Sequence, residues 1–109
     1  SVRLNFDQSH FHVLGMDLQH CVKLCAPWSV HTHLKDGYLD DAGQVHFQLP
    51  GEGSLDLDEY FSAVTAAGLR LPITAEVTGQ IWKRPDYDPW STAEHCYRAM
   101  RQAVSHLME

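Results

Sequence analysis

Basic side chains are in short supply: eight lysines and arginines stand against fourteen aspartates and glutamates, a formal net charge of −6. That balance excludes a surface built to neutralise a phosphodiester backbone, whose footprint is a basic stripe, so no nucleic-acid partner is expected. Long apolar runs are missing too. No stretch approaches the roughly 20 residues needed to cross a bilayer, and the N-terminus lacks the basic-then-apolar pattern of a secretory leader. The expectation is a cytoplasmic chain with no membrane partner. Cysteine is scarce and odd in number. Cys21, Cys25 and Cys96 cannot all pair within one chain, and Cys21 and Cys25 lie four apart on a helical pattern rather than in a C-x-x-C loop. They read as small apolar fillers.

What is present fits one globular unit, or a piece of one, with 44% hydrophobic and 20% charged residues and neither a low-complexity segment nor an interdomain linker. Residues 2–7 alternate apolar and polar, the signature of a strand, and they do so almost from Ser1, which leads us to expect further chain upstream. Gly15 and Asp17 then open a helical stretch ending at Pro27. A second strand is expected from Trp28 to Lys35. The segment from Asp36 to Gly53 reads as a long loop, punctuated by Gly37, Gly43, Pro50, Gly51 and Gly53. Asp56 and Glu59 form a capping-box pattern before Leu57, Tyr60, Phe61 and Val64, which recur at helical spacing until Gly68. A third strand is expected from Leu71 to Val77. Ser91 and Glu94 make another capping box, followed by the apolar stripe of Cys96, Tyr97, Met100, Val104 and Leu107.

The order β-α-β-α-β-α implies right-handed crossovers and a parallel sheet. Three units in this chain average about 36 residues each, near the ~31 per unit of an eightfold barrel. Alternation along each strand divides its side chains between two faces. Leu4 and Phe6 oppose Asn5 and Asp7; Val30, Thr32 and Leu34 oppose His31, His33 and Lys35; Ile73, Ala75 and Val77 oppose Thr74 and Glu76. Parallel strands covered by helices on both sides are normally apolar on both faces, so three titratable faces in succession suit the interior of a closed barrel. There, Asp7, His33 and Glu76 would converge near the C-terminal strand ends, where barrel active sites lie. Two carboxylates and an imidazole are a hard donor set suited to Mn2+, Mg2+, Co2+ or Zn2+. A two-layer α/β domain with one solvent-facing sheet face accounts for the same alternation without any metal.

Four segments, taken together, resemble a known family: Asn5-Phe6-Asp7-Gln8-Ser9-His10, His31-Thr32-His33-Leu34-Lys35-Asp36, Pro50-Gly51-Glu52-Gly53, and Ile73-Thr74-Ala75-Glu76-Val77. In order and spacing, over essentially the whole chain, they are similar to the sugar phosphate isomerase/epimerase family of the xylose isomerase-like barrels. The resemblance implies that residues 1–109 are the C-terminal part of such a domain, the last three βα units of a (β/α)8 TIM barrel. It implies a divalent metal held by Asp7, His33 and Glu76, with Glu76 also the catalytic acid/base and His10 touching substrate oxygen. The implied activity is isomerisation or epimerisation of a sugar, sugar phosphate or keto acid by proton transfer through an enediolate. A polyol dehydratase or lyase on the same barrel is the nearest rival. The family's fourth ligand, a glutamate on an earlier strand, has no counterpart here, so the chain alone is expected to be inactive. The nuclease branch of the superfamily fits less well, because the chain is acidic and lacks that branch's paired Asp-x-His ligands after Lys35-Asp36.

Other residues carry two readings each. His31 either touches substrate or is structural. Lys35 either neutralises an enediolate or phosphate, or pairs with Asp36 or another acid, and Asp36 itself orients the loop that follows it. Gly51-Glu52-Gly53 reads as a turn rather than a ligand loop. Trp82, Lys83 and Arg84 follow the third strand, and Arg84 is a candidate to contact a substrate carboxylate or phosphate. His12, His20, His46, His95 and His106 are read as structural or surface residues, although eight histidines also fit a simple metal-binding module. A partial barrel would leave open sheet edges and an exposed apolar face, which invites assembly into a homo-oligomer.

Overall fold

Apolar residues at helical spacing cover one face of a short parallel sheet, and the opposite face of that sheet carries the titratable side chains. The computed structural model of the chain describes residues 1–108. Strand β1 (Leu4–Asp7) runs directly into a short helix α1 (Gln8–His12), and α2 (Leu18–Cys25) follows with Asp17 as its N-cap. A 3-10 turn at Ala26–Trp28 leads into β2 (Ser29–Leu34). The sheet order is β1-β2-β5, with β5 at Thr74–Ala75, and both pairings are parallel. Asn5 pairs with His31, Asp7 with His33, and His33 in turn with Thr74, so the polar positions stand side by side across the sheet.

Helix α3 (Leu57–Ala66) crosses from β2 to β5, and α5 (Pro89–Leu107) packs beside it. The core joins Phe6 and Leu34 of the sheet to Leu18, Cys21 and Val22 of α2, Tyr60, Phe61 and Val64 of α3, and Ala103 of α5. Thr32 and Leu34 are fully buried on the helix side of β2. The three thiols are free, with burial pushing each above its usual range, and Cys21 and Cys96 are buried as the reading of small apolar fillers requires.

Four expectations for local structure need correction. The segment from Asp36 to Gly53 holds an antiparallel hairpin, β3 (Asp36–Leu39) and β4 (Val45–Gln48). Its turn is closed by the Asp40 carboxylate, which accepts from the backbone N–H groups of Ala42 and Gln44, and by Gly43 at φ +80°. Glycines that read as loop punctuation thus belong to a tight turn and a strand. The expected third strand shrinks to Thr74–Ala75, because Pro72 has no N–H to give and its carbonyl accepts from the Thr32 hydroxyl instead. The last helix begins at Pro89 rather than at Ser91; Asp88 is its N-cap, accepting from the Ser91 N–H, and Pro89 presets the first turn. The expected loop from Gly79 to Pro89 opens with a one-turn helix, α4 (Gly79–Trp82).

The sheet is open at β1 and β5, and Val2, Leu4, Trp28 and Val30 are exposed around its N-terminal rim. Unpaired N–H and C=O groups beside exposed apolar side chains favour association. Light scattering on the purified chain is expected to give a mass above that of one chain, rising with concentration; a concentration-independent monomer would rule this out.

Candidate active site at the strand ends

Each parallel strand delivers one donor at its C-terminal end. Asp7 is the last residue of β1 and also the N-cap of α1, so its Oδ1 accepts from the Ser9 N–H at 3.0 Å and from the Ser9 hydroxyl at 2.6 Å. His33 sits opposite Asp7 in the ladder, with Asn5 Nδ2 3.4 Å from its Nδ1. Glu76 lies just beyond β5, where its N–H extends the ladder to the carbonyl of Leu34 at 2.9 Å. One donor atom from each of Asp7, His33 and Glu76 falls within 4.8 Å of the other two, and the Nδ1 of His33 is 3.5 Å from Glu76 Oε2. Two carboxylate oxygens and an imidazole nitrogen at that spacing suit a hard or borderline divalent cation and not a soft one.

Lys35 completes the cluster from the residue after β2. Only 2% of its side chain is exposed, and its ammonium donates to Asp7 Oδ2 and, at 2.6 Å, to Glu76 Oε2. The sequence left Lys35 between a substrate contact and an ion pair, and its partners are these two acids rather than Asp36. Burial pushes the Asp7 carboxyl up, but hydrogen bonds from Lys35 and Ser9, together with the positive charge of Lys35, outweigh burial and hold it below the usual carboxylate range. The charge on Asp7 also acts on Tyr60, whose fully buried hydroxyl has no hydrogen-bond partner. Burial is the main reason its phenol is driven far above the usual range.

His10 stands over the cluster with Nε2 3.4 Å from Asp7 Oδ2 and 62% of its side chain exposed, open to a ligand. His31 shares the polar face and meets His33 edge to face at 5.2 Å. Arg84 is different. Its side chain is exposed, its Nε donates to the carbonyl of Gln80, and among the described residues it makes no hydrogen bond or ion pair with the cluster. Of the five histidines read as structural or surface residues, four have partners outside the cluster: His12 with Ser54, His46 with Asp40, His95 with Pro50 and Glu52, and His106 with Asp58.

Two features escaped the sequence. Phe47, on β4, lies with its ring 4.8 Å from the Lys35 ammonium and 5.5 Å from the His10 ring, so the hairpin walls the site. It was hidden in a segment read as irregular. Asp36 does more than orient a loop. Its fully buried carboxylate accepts from the backbone N–H groups of Gly37, Gly51 and Leu55, clamping the Pro50-Gly51-Glu52-Gly53 turn against β3.

The chain superposes on a xylose isomerase domain protein from Alicyclobacillus acidocaldarius with a TM-score of 0.75, at 23% identity over 95% of this chain and 37% of that one. Its fold matches part of a xylose isomerase-like TIM barrel. An L-ribulose 3-epimerase shares this partial barrel with a TM-score of 0.66, at 18% identity over 97% of this chain and 38% of the epimerase. In sequence, the barrel segment is 29% identical over 110 residues to an inosose isomerase of Bacillus licheniformis, spanning 95% of this chain and 37% of the relative. It is also 29% identical over 93 residues to an inosose isomerase of Bacillus velezensis, spanning 80% of this chain and 30% of that relative. No family model matches. At this low identity the likenesses support the isomerase/epimerase resemblance of the four motifs. The chain spans about a third of the length of the curated relatives it matches. No helix among the described residues is long and apolar enough to cross a membrane.

Proposed function

We propose that this chain is the C-terminal part of a barrel enzyme that isomerises or epimerises a sugar, sugar phosphate or keto acid, and that it supplies three ligands of its metal, Asp7, His33 and Glu76. One observation carries the reading. Three chemically complementary donors lie within 4.8 Å of one another at the C-terminal ends of three neighbouring parallel strands, the end at which barrel enzymes place their chemistry. A bound divalent cation supplies Lewis acidity toward carbonyl and hydroxyl oxygens of the substrate.

The chain's own residues divide the remaining work. Glu76, 35% exposed, is the acid/base that moves a proton at the carbon beside the carbonyl. Lys35 and His10 meet the negative charge that develops on the resulting enediolate, Lys35 as an ammonium and His10 as a ring N–H donor. Asp7 is held in orientation by Ser9, and Phe47 keeps water from one side of the cluster. The second acid/base, which returns the proton, comes from the rest of the barrel. His31, on the same face as His33, contacts substrate further from the metal. Arg84 is proposed as a contact for a substrate carboxylate or phosphate only when such a ligand draws its exposed side chain inward.

Calorimetric titration of Mn2+ into the chain and into Asp7→Ala, His33→Ala and Glu76→Ala tests the site. Saturable binding is expected in the parent. Each variant is expected to weaken it by at least the roughly 10- to 100-fold that loss of an outer-sphere partner alone costs. A second reading is a barrel segment without catalysis, since the clustered donors among the described residues number three, with no fourth ligand beside them. Binding that is absent, or indifferent to all three substitutions, would leave that reading standing.

A further inference from the structure

We propose that Lys35 is a built-in competitor of the metal: its ammonium holds the same two carboxylates the ion needs, so loading the ion releases the lysine. The inference rests on the metal reading above and goes beyond it. Lys35 donates to Asp7 Oδ2 and to Glu76 Oε2, and those two residues provide two of the three clustered donors. An ammonium and a divalent cation on the same pair of carboxylates would stand within a few ångströms of each other, in a site whose lysine is 2% exposed and poorly screened.

Charge points the same way. Two carboxylates and one ammonium sum to −1, so a dication added without moving the lysine would turn the site to +1 beside a buried ammonium. Release costs less, because the aliphatic stem of Lys35 is already packed and its ammonium lies 4.8 Å from the Phe47 ring, a face that accepts cations. Once off the acids, the ammonium is free to bind an anionic oxygen of a substrate. Metal loading therefore precedes and enables the lysine's contact with substrate. The lysine also weakens the ion's affinity, since each ion bound must break two charge-assisted hydrogen bonds.

The test compares Mn2+ binding by the parent chain with that of Lys35→Met, which keeps the stem and removes the charge, and of Lys35→Gln. Circular dichroism is recorded on each variant. Removing the charge is expected to tighten Mn2+ binding about tenfold or more, the order of losing charge-assisted hydrogen bonds. In EDTA, Lys35→Met is expected to melt below the parent and to gain more on adding Mn2+ than the parent does. In the parent, the 15Nζ resonance of Lys35 is expected to shift as diamagnetic Zn2+ saturates the site, a readout that does not depend on any variant folding.

Equal or weaker binding by folded Lys35→Met or Lys35→Gln would overturn the proposal and leave the metal reading intact, with Lys35 then serving to hold the ligands in place. An unmoved Lys35 resonance at saturating Zn2+ would overturn it equally. No binding by parent or variants would remove both the competition and the metal site.

Discussion

Replacing Asp36 with alanine is expected to lower folding stability by about 3 kcal/mol or more, since unsatisfied buried donors cost about 1–3 kcal/mol each. The carboxylate is fully buried and accepts from three backbone N–H groups, at 2.8 Å from Gly37, 2.8 Å from Leu55 and 3.2 Å from Gly51. Without it, the hairpin and the turn beneath it lose their common anchor. Gly53→Ala should disturb the same joint from the opposite side. A methyl group there would come to 2.3 Å from Asp36 Oδ1 and 2.7 Å from the Gly37 nitrogen, and the second of these is backbone that cannot swing away. Urea unfolding followed by circular dichroism measures both. Midpoints within experimental error of the parent would show that the turn is not clamped through Asp36. Against a typical domain stability of roughly 5–15 kcal/mol, losses of this size are a large fraction of the whole.

Asp7→Ala is expected to cost about 3–5 kcal/mol in EDTA, the range for removing one partner of a buried ion pair. Two losses combine. The buried ammonium of Lys35 keeps only Glu76, and α1 loses its N-cap at Ser9. Asp7→Asn should be milder than Asp7→Ala, because its amide oxygen still caps the helix. The pH dependence follows from the depressed carboxyl of Asp7. Its contribution is complete above the ordinary carboxylate value of 3.8 and is lost as pH falls through the lower folded-state value. The urea midpoint of the parent in EDTA should therefore fall with acidification below about pH 4, and Asp7→Ala should blunt that fall. Parallel curves for parent and variant would mean that Asp7 has no special share in acid stability.

The elements that the sequence announced were those with a local physical cause. Asp17 and Asp56 cap their helices at the expected residues because a short side-chain oxygen reaches the N–H three residues on, which is visible in sequence order alone. Asp7, His33 and Glu76 were legible for a different reason. Strict alternation puts every second side chain on one sheet face, and parallel pairing then aligns strand ends that are far apart in sequence.

What stayed hidden was long-range. Neither the Asp36 carboxylate reaching Leu55 nor Phe47 leaning on Lys35 leaves a periodic trace, because each contact joins a hairpin to something outside it. The shortening of β5 was invisible for a related reason: an apolar, alternating segment does not reveal how many of its amides find a partner. Naming the acids that pair with Lys35 also required the sheet, since the sequence left Asp36 or another acid open while the ladder brings Asp7 and Glu76.

The strand ends also act as a gauge of register. Side chains on a strand switch faces with every residue, so a slip of one position along β1, β2 or β5 would carry a donor from the polar face to the helix side. Strand β5 has the least to hold it, with two ladder pairs and the Glu76 amide on Leu34. An ion gripping Glu76 together with Asp7 and His33 would act as a pin across three neighbouring strands. Its affinity would report not only on the chemistry of the donors but on whether the shortest strand has docked in its correct frame.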